Sequence, residues 1–382
     1  MYLRGVYSPV EIGNRFKDGQ YLVVVVSKGH ICIRNACNVA LKIIQNDDRT
    51  HELEIMRHLR DSSIAHANVT HGGRKFVVQL LDDFDVSSTH RCLVLEVMGR
   101  SIASYAEQCP GCCLPRSMAK KVMYQVALGL DYLWKCHVAH GDLHWGNVLF
   151  AAPIASTLEE KRLKSYLGEP DLGSVQRLDG RILLEPSVPS YLVRPKTFRG
   201  YNADLRIVDL GGAFFHNDPP RLLHTPVHMR APEALFNRKL SPRVDMWSMG
   251  CLLFGSVTGR SFANSILADE SSTIEEIQSY IGAAPVDWIN QLDVKVRKSI
   301  NGLGLRSIPL DRYLRIAYDQ DEAALVEEDE ENFPVEEYEK AKREFTDAEL
   351  DTLSFLLLNL LTYDPTMRYT PEILLQSQFF EN

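Results

Sequence analysis

The chain has 382 residues, a formal net charge of −8, 45% hydrophobic side chains and 24% charged ones. That is an ordinary soluble globular composition, and the length exceeds the roughly 250–300 residues at which a single core stops growing, so two lobes are expected. No apolar run reaches the length of a membrane span, the start Met1-Tyr2-Leu3-Arg4-Gly5 lacks the apolar core of a signal peptide, and a negative chain is a poor candidate for direct nucleic-acid binding. A cytoplasmic and nuclear monomer without a membrane partner is the expectation, and the charge suits a basic partner. Eight cysteines do not make a disulfide scaffold. Cys109, Cys112 and Cys113 invite a zinc reading, but no second Cys or His pair stands at finger spacing nearby, so they read as reduced thiols.

In chain order, the first hundred residues read as strands with one helix. Tyr21–Val26 and Asn38–Ile44 are β-branched runs, and Arg49–Arg60 carries Leu53, Met56 and Leu59 at helical spacing. Phe76–Phe84 and Cys92–Met98 are further strand candidates, with Ser87-Ser88-Thr89 as the turn between them. After Gly99 the pattern turns helical. Val122, Val126, Leu130 and Leu133 line one face of a helix over Ser117–Trp134. Val244–Val257 is apolar on nearly every side and ends at Gly259, the pattern of a helix in the middle of a domain. Asp347–Leu361 is preceded by Thr346 and Glu349 at capping-box spacing, and Thr370-Pro371 opens a last helix. Residues 151–203 are polar and rich in Pro and Ser, and read as an insert; the acidic run from Asp319 to Glu331 reads as a solvated segment.

Several strings then carry chemistry. Val39-Ala40-Leu41-Lys42 places a lysine on a strand, where a surface lysine is the ordinary reading. Twelve residues on, Glu54 lies on the first helix, with Glu52 as its competitor for Lys42. In His140-Gly141-Asp142-Leu143-His144-Trp145-Gly146-Asn147, Asp142 and Asn147 stand five apart before the apolar Val148-Leu149-Phe150. Ile207-Val208-Asp209-Leu210-Gly211 is an apolar strand ending in Asp-Leu-Gly. Arg230-Ala231-Pro232-Glu233, Asp245-Met246-Trp247-Ser248-Met249-Gly250 and Arg368 in Asp364-Pro365-Thr366-Met367-Arg368 follow. A cation, two carboxylates and an amide are what phosphoryl transfer asks of a protein: positioned charge on phosphates and metal, and a carboxylate at the attacking hydroxyl.

In this order the strings resemble the protein kinase superfamily over nearly the whole chain. The resemblance implies an α+β bilobal fold, with an antiparallel strand-rich N-lobe over residues 1–98 and a mainly helical C-lobe over 99–382, the latter carrying 151–203 as its insert. It implies ATP and Mg²⁺ as cofactors. Lys42 would hold the α- and β-phosphates and pair with Glu54. Asp142 would orient the hydroxyl and accept its proton. Asn147 and Asp209 would hold Mg²⁺. Gly29, Ala40, Glu96, Met98 and Leu149 would surround the nucleotide. Glu233, Asp245 and Arg368 would be structural, Glu233 in a buried pair with Arg368 and Asp245 bonding the catalytic-loop backbone.

Finer strings resemble SR-protein kinases, and among them the divergent fungal set: Gly5-Val6-Tyr7-Ser8-Pro9-Val10 with Ile12-Gly13, Val77-Val78-Gln79-Leu80-Leu81-Asp82-Asp83-Phe84, Cys92-Leu93-Val94-Leu95-Glu96-Val97-Met98-Gly99, Asp-Leu-Gly itself, and Leu223-His224-Thr225-Pro226. That family phosphorylates serines in Arg/Ser-rich splicing factors through an acidic docking groove. By resemblance Glu270, Glu275 and Glu276 in Asp269–Tyr280 occupy its region, although acidic residues on a helix face are ordinarily just solvated. Activity independent of activation-segment phosphorylation is a further implication, and Gly141 agrees: an arginine commonly stands there to receive that phosphate.

The sequence also departs from the family. Between Tyr21 and Lys42 there is a single glycine, Gly29, and no G-x-G-x-x-G. His144 stands where a lysine steadies the γ-phosphate, and neutral imidazole does this less well near pH 7. Thr225 lies one residue too far from Glu233 for the threonine that marks serine/threonine kinases. Two alternatives therefore stay open. One is an aminoglycoside- or choline-kinase-like small-molecule phosphotransferase, whose HGDxHxxN loop the catalytic string also resembles. The other is a catalytically silent pseudokinase acting as a binding module.

Overall fold

Alternating apolar residues in the first hundred positions build one antiparallel sheet. Its strands are β1 (Arg15–Phe16), β2 (Tyr21–Val25), β3 (His30–Arg34), β4 (Cys37–Gln45), β5 (Leu80–Asp85) and β6 (His90–Leu95), in the spatial order β1-β2-β3-β4-β6-β5. The computed structural model describes residues 10–25, 30–34, 37–46, 51–61, 71–175, 188–189, 191–194, 204–263, 269–294, 296–297, 308–319 and 344–381. Gly29, the string at residues 5–9, most of the acidic run and much of 176–203 lie outside these residues.

Register explains the sheet's two faces. Leu22 pairs with Ile33, Val23 with Cys32, Ala40 with Leu95 and Lys42 with Leu93. With a side-chain period of two, Tyr21, Val23, Cys32, Val39, Leu41, Cys92 and Val94 fall on one face and form a buried cluster. Asn38, Ala40 and Lys42 point to the other. Val77, expected inside a strand over 76–84, makes an isolated bridge to Ile207, after a 3-10 turn at Arg74–Phe76.

The chain divides into two compact units. The first holds residues 1–62, 78–100 and 149–206, and the second holds 63–77, 101–148 and 207–382. The described start of the 151–203 stretch therefore groups with the strand-rich unit, and not with the helical one to which the sequence reading assigned it. The reason is apolar. Ala152, Ala155, Leu163 and Leu167 bury with Val24, Ile31 and Val97 in one cluster. Leu163 and Leu167 are the buried positions of an otherwise exposed helix, Glu160–Leu167.

In the helical unit, Arg116–Lys135 matches the predicted helix to within a residue at each end. Val244–Thr258 is buried along all 15 residues and stops at Gly259, whose φ of 69° suits a left-handed cap. Thr346 and Glu349 form the expected capping box ahead of Asp347–Leu360, and Thr370 caps Pro371–Leu375. Among the described residues no helix is long and apolar enough to cross a membrane.

Glu233 and Arg368 lock this unit. Arg368 donates in parallel to Glu233 Oε1 and Oε2 at 2.7 and 2.6 Å, and both side chains are essentially unexposed. Three backbone carbonyls, of Thr362, Arg243 and Tyr363, take further guanidinium protons, and the Trp247 ring lies 5.4 Å away. Such a pair is costly to break from one side, because a charge remains buried without its partner. Glu233→Ala or Arg368→Ala is expected to lower the unfolding free energy by about 3–5 kcal/mol. The check is the urea midpoint at unchanged slope; a loss below about 1 kcal/mol, as for an exposed pair, would contradict the buried lock.

Candidate active site

Lys42 leaves β4 on the face it shares with Ala40, and its Nζ meets Glu52 Oε1 at 2.6 Å. Glu54, the expected partner, is instead exposed and bonds His51. The helix Glu52–Asp61 explains the exchange. Its buried residues are Glu52, Ile55, Met56 and Leu59, the i, i+3, i+4, i+7 stripe of one face. Glu54 is two positions from Glu52 and so turns about 200° away from that stripe. Ala40, Met98 and Leu149 are half-buried, and the Glu96 carboxylate is engaged by Arg206 Nε at 3.0 and 3.2 Å. Gly29 lies outside the described residues.

In the helical unit the loop of residues 140–147 is held from beneath by Asp245. Its carboxylate accepts the backbone N–H groups of His140 at 2.6 Å and Gly141 at 2.9 Å. Full burial pushes this carboxyl up to about 6, against those two bonds. His140 is fixed in one tautomer: Nε2 donates to Val208 O at 2.9 Å while Nδ1 accepts from the Asp142 N–H. Gly141 has φ +71°, and a Cβ there would stand 2.3 Å from Gly212 O, so no side chain fits. Gly212 in turn would bring a Cβ to 3.0 Å from Asp142 Cβ. Asp-Leu-Gly-Gly thus packs directly on the loop, which a search for Asp-Leu-Gly alone does not reveal.

Asp142 is the focus of this arrangement. Asn147 Nδ2 donates to its backbone O at 2.9 Å and reaches Oδ2 at 3.4 Å. His144 accepts the Gly146 N–H on Nδ1 at 3.0 Å, which leaves Nε2 to carry the ring proton when neutral, 3.9 Å from Asp142 Oδ2. Asp142 Oδ1 is buried and has no hydrogen-bond partner among the described residues. Burial raises this carboxyl above the usual range, with the Asp209 charge adding to the rise, while His144, Asn147 and His224 act in the opposite sense.

Asp209 follows Val208, whose N–H bonds Asn147 O at 2.9 Å. It is left-handed, at φ 64° and ψ 74°, a sparsely populated conformation for a residue with a side chain. Among the described residues no group of three or more His, Cys, Asp or Glu side chains forms a metal centre. One carboxylate and one amide oxygen are nonetheless what a hard ion such as Mg²⁺ takes from a protein, keeping several waters. The orphaned Asp142 Oδ1 beside them fits a site built for a group not supplied by the chain itself. The cysteines of the CxxCC loop form no disulfide, and the thiols of Cys109 and Cys113 bond the carbonyls of Tyr105 and Gly111.

The remaining residues are local. Thr225 is buried and donates to Gly141 O at 2.8 Å, so it does reach the catalytic string despite its offset. Arg230 donates to Thr225 O and to Glu270 Oε1. Glu270 is therefore engaged, and Glu275 has a buried Oε1 without a hydrogen bond among the described residues, its carboxyl raised by burial. Glu276 is half-buried.

Residues 25–380 match the family described as Protein kinase domain. The chain is 23% identical over 350 residues to the dual specificity protein kinase CLK1 of Homo sapiens, covering 90% of this chain and 60% of that protein. It is 32% identical over 164 residues to SRSF protein kinase 3 of Mus musculus, covering 39% and 28% respectively. Against the serine/threonine-protein kinase SRPK of Physarum polycephalum it is 25% identical over 404 residues, covering 97% and 87%. The chain thus spans less than two thirds of the first two relatives. With a matched region that includes the Lys42 strand, the catalytic loop, Asp-Leu-Gly and the Glu233–Arg368 lock, the chain belongs to the protein kinase family, and its relatives are kinases of the SR-protein and CLK kinds.

Proposed function

We propose that the chain moves the γ-phosphate of ATP to a serine or threonine hydroxyl of a protein. The observation that carries this is Asp142: a carboxylate steadied on one oxygen by Asn147, with the other buried and unbonded, and raised by burial toward the basicity of a useful proton acceptor. In this reading Asp142 orients the hydroxyl and takes its proton on its carboxylate. Lys42, steadied by Glu52, binds the phosphates, and Ala40, Met98 and Leu149 contact the adenine. His144 presents its Nε2–H toward the transferring group. Asn147 and Asp209 would hold Mg²⁺, which when bound supplies positive charge against the phosphoryl oxygens. The net charge of −8 and the names of the SRSF and SRPK relatives support a basic, Arg/Ser-rich substrate connected with splicing. A cytoplasmic and nuclear monomer remains the companion proposal.

Two experiments decide between this reading and its alternatives. With Mg-ATP and an Arg-Ser repeat peptide, phosphotransfer is expected, and Asp142→Asn is expected to lower kcat by about 10²–10⁴-fold while nucleotide binding persists. Transfer to an aminoglycoside alone would favour the small-molecule phosphotransferase. Nucleotide binding with no transfer to either acceptor would favour the pseudokinase, the reading that the single-glycine stretch before Lys42 suggests. In the second experiment, Glu52→Gln is expected to raise KM for ATP by about tenfold or more, the worth of one charge-assisted hydrogen bond. Glu54→Gln should leave KM within about twofold, since its side chain is exposed. Equal effects at the two positions would refute the assignment of Glu52.

A further inference from the structure

We propose that residues 152–167 are a brace for the strand that carries Lys42, and that Asn38 is the positioning residue through which the brace acts. The proposal about nucleotide affinity rests on the ATP reading above; the brace itself does not.

Asn38 lies on β4 four residues before Lys42, on the same face of the strand, and is 2% exposed. Its Nδ2 donates to Ala155 O and to Leu158 O, each at 2.7 Å. These carbonyls belong to the end of the short helix Pro153–Thr157, where the last backbone oxygens have no partner within the helix. One buried amide group therefore spends both its protons on closing a helix more than a hundred residues away in sequence. A buried asparagine is tolerated on a sheet face only where such partners exist.

Apolar packing continues the contact along that face. Ala152, Ala155, Leu163 and Leu167 bury with Val24 of β2, Ile31 of β3 and Val97 beyond β6, with Leu22, Ile33 and Leu158 packed at the margin. The brace thus touches β2, β3 and β4, on the face that also presents Ala40 and Lys42. This kinase has no G-x-G-x-x-G between β2 and Lys42; β4 is held by its ladders to β3 and β6 and, on this face, by the brace. A segment that reads as a polar insert supplies that packing and holds the Lys42 strand in register for the phosphates.

The test uses the full chain with Asn38→Asp, which keeps the shape but sets a carboxylate oxygen against the two carbonyls. Hydrogen exchange is read over β2–β4 and over the helices Arg116–Lys135 and Val244–Thr258, together with KM for ATP, KM for peptide and kcat. Protection in β2–β4 is expected to fall by about tenfold, with the two helices unchanged. KM for ATP should rise by about tenfold while kcat and peptide KM stay within about twofold. Unchanged protection in β2–β4, a fall spread equally over both units, or a lower melting temperature at unchanged KM for ATP would each overturn the proposal. Should Asn38→Asp fail to fold, Leu163→Ala removes the apolar half of the brace and is read the same way. A wild-type chain that binds no Mg-ATP would sink the kinase reading, and exchange in the variants would then decide the brace alone.

Discussion

The carboxylate of Asp245 accepts the backbone N–H groups of His140 and Gly141 from inside a helix that is buried along its whole length. Placing a carboxylate there is expensive, and burial accordingly makes it a weaker acid than usual. The two well-directed N–H donors of the loop offset that expense. Everything that follows in the catalytic string is registered on that anchor. His140 carries the constraint to Val208, Asn147 O takes the Val208 N–H, and Asn147 Nδ2 returns to Asp142. The chemistry-bearing carboxylate is thus the end of a closed circuit of backbone and side-chain bonds, and its unbonded oxygen is a consequence of geometry that the circuit fixes in advance.

Much of this was legible in the sequence because motif spacing and local propensity agree. The capping box at Thr346 and Glu349, the all-apolar helix ending at Gly259 and the proline opening at Pro371 are short-range signals, and each element formed where its signal stood. The Glu233–Arg368 lock joins residues 135 apart. No local rule encodes it; it was legible only through the order of the strings. The docking glutamates show the opposite limit. Their acidity is visible in one dimension, but that Glu270 is already bound by Arg230 and that Glu275 is partly withdrawn from water depends on packing.

Periodicity accounts for two places where the structure differs from expectation. The family resemblance pairs Lys42 with Glu54, yet the buried Ile55 and Met56 place Glu52 on the same stripe and Glu54 off it. The helical period, applied to the glutamates as strictly as to the leucines, selects Glu52. For residues 151–203 the average polarity hid a sparse but regular pattern. Ala152, Ala155, Leu163 and Leu167 are few, and small or widely spaced, but they are the buried ones. Composition measured over fifty residues reports the exposed majority, whereas burial is decided by the minority that shares a face.

The same logic of internal partners bears on how the segment between Asp209 and Glu233 is held. In many kinases an arginine beside the catalytic aspartate awaits a phosphate; here Gly141 occupies that place, at a φ that side chains rarely adopt and with a Cβ position 2.3 Å from Gly212 O. Arg230, the cation near the end of the segment, already donates to Thr225 O and to Glu270, and Thr225 donates to Gly141 O. The segment is therefore tied to the catalytic loop by a neutral hydrogen bond and to the helix Glu270–Ile281 by an ion pair, both made from residues of the chain. A phosphate added near Arg230 would have to displace a carboxylate of like charge before it gained anything, so its net contribution would be the small difference between two anions at one guanidinium.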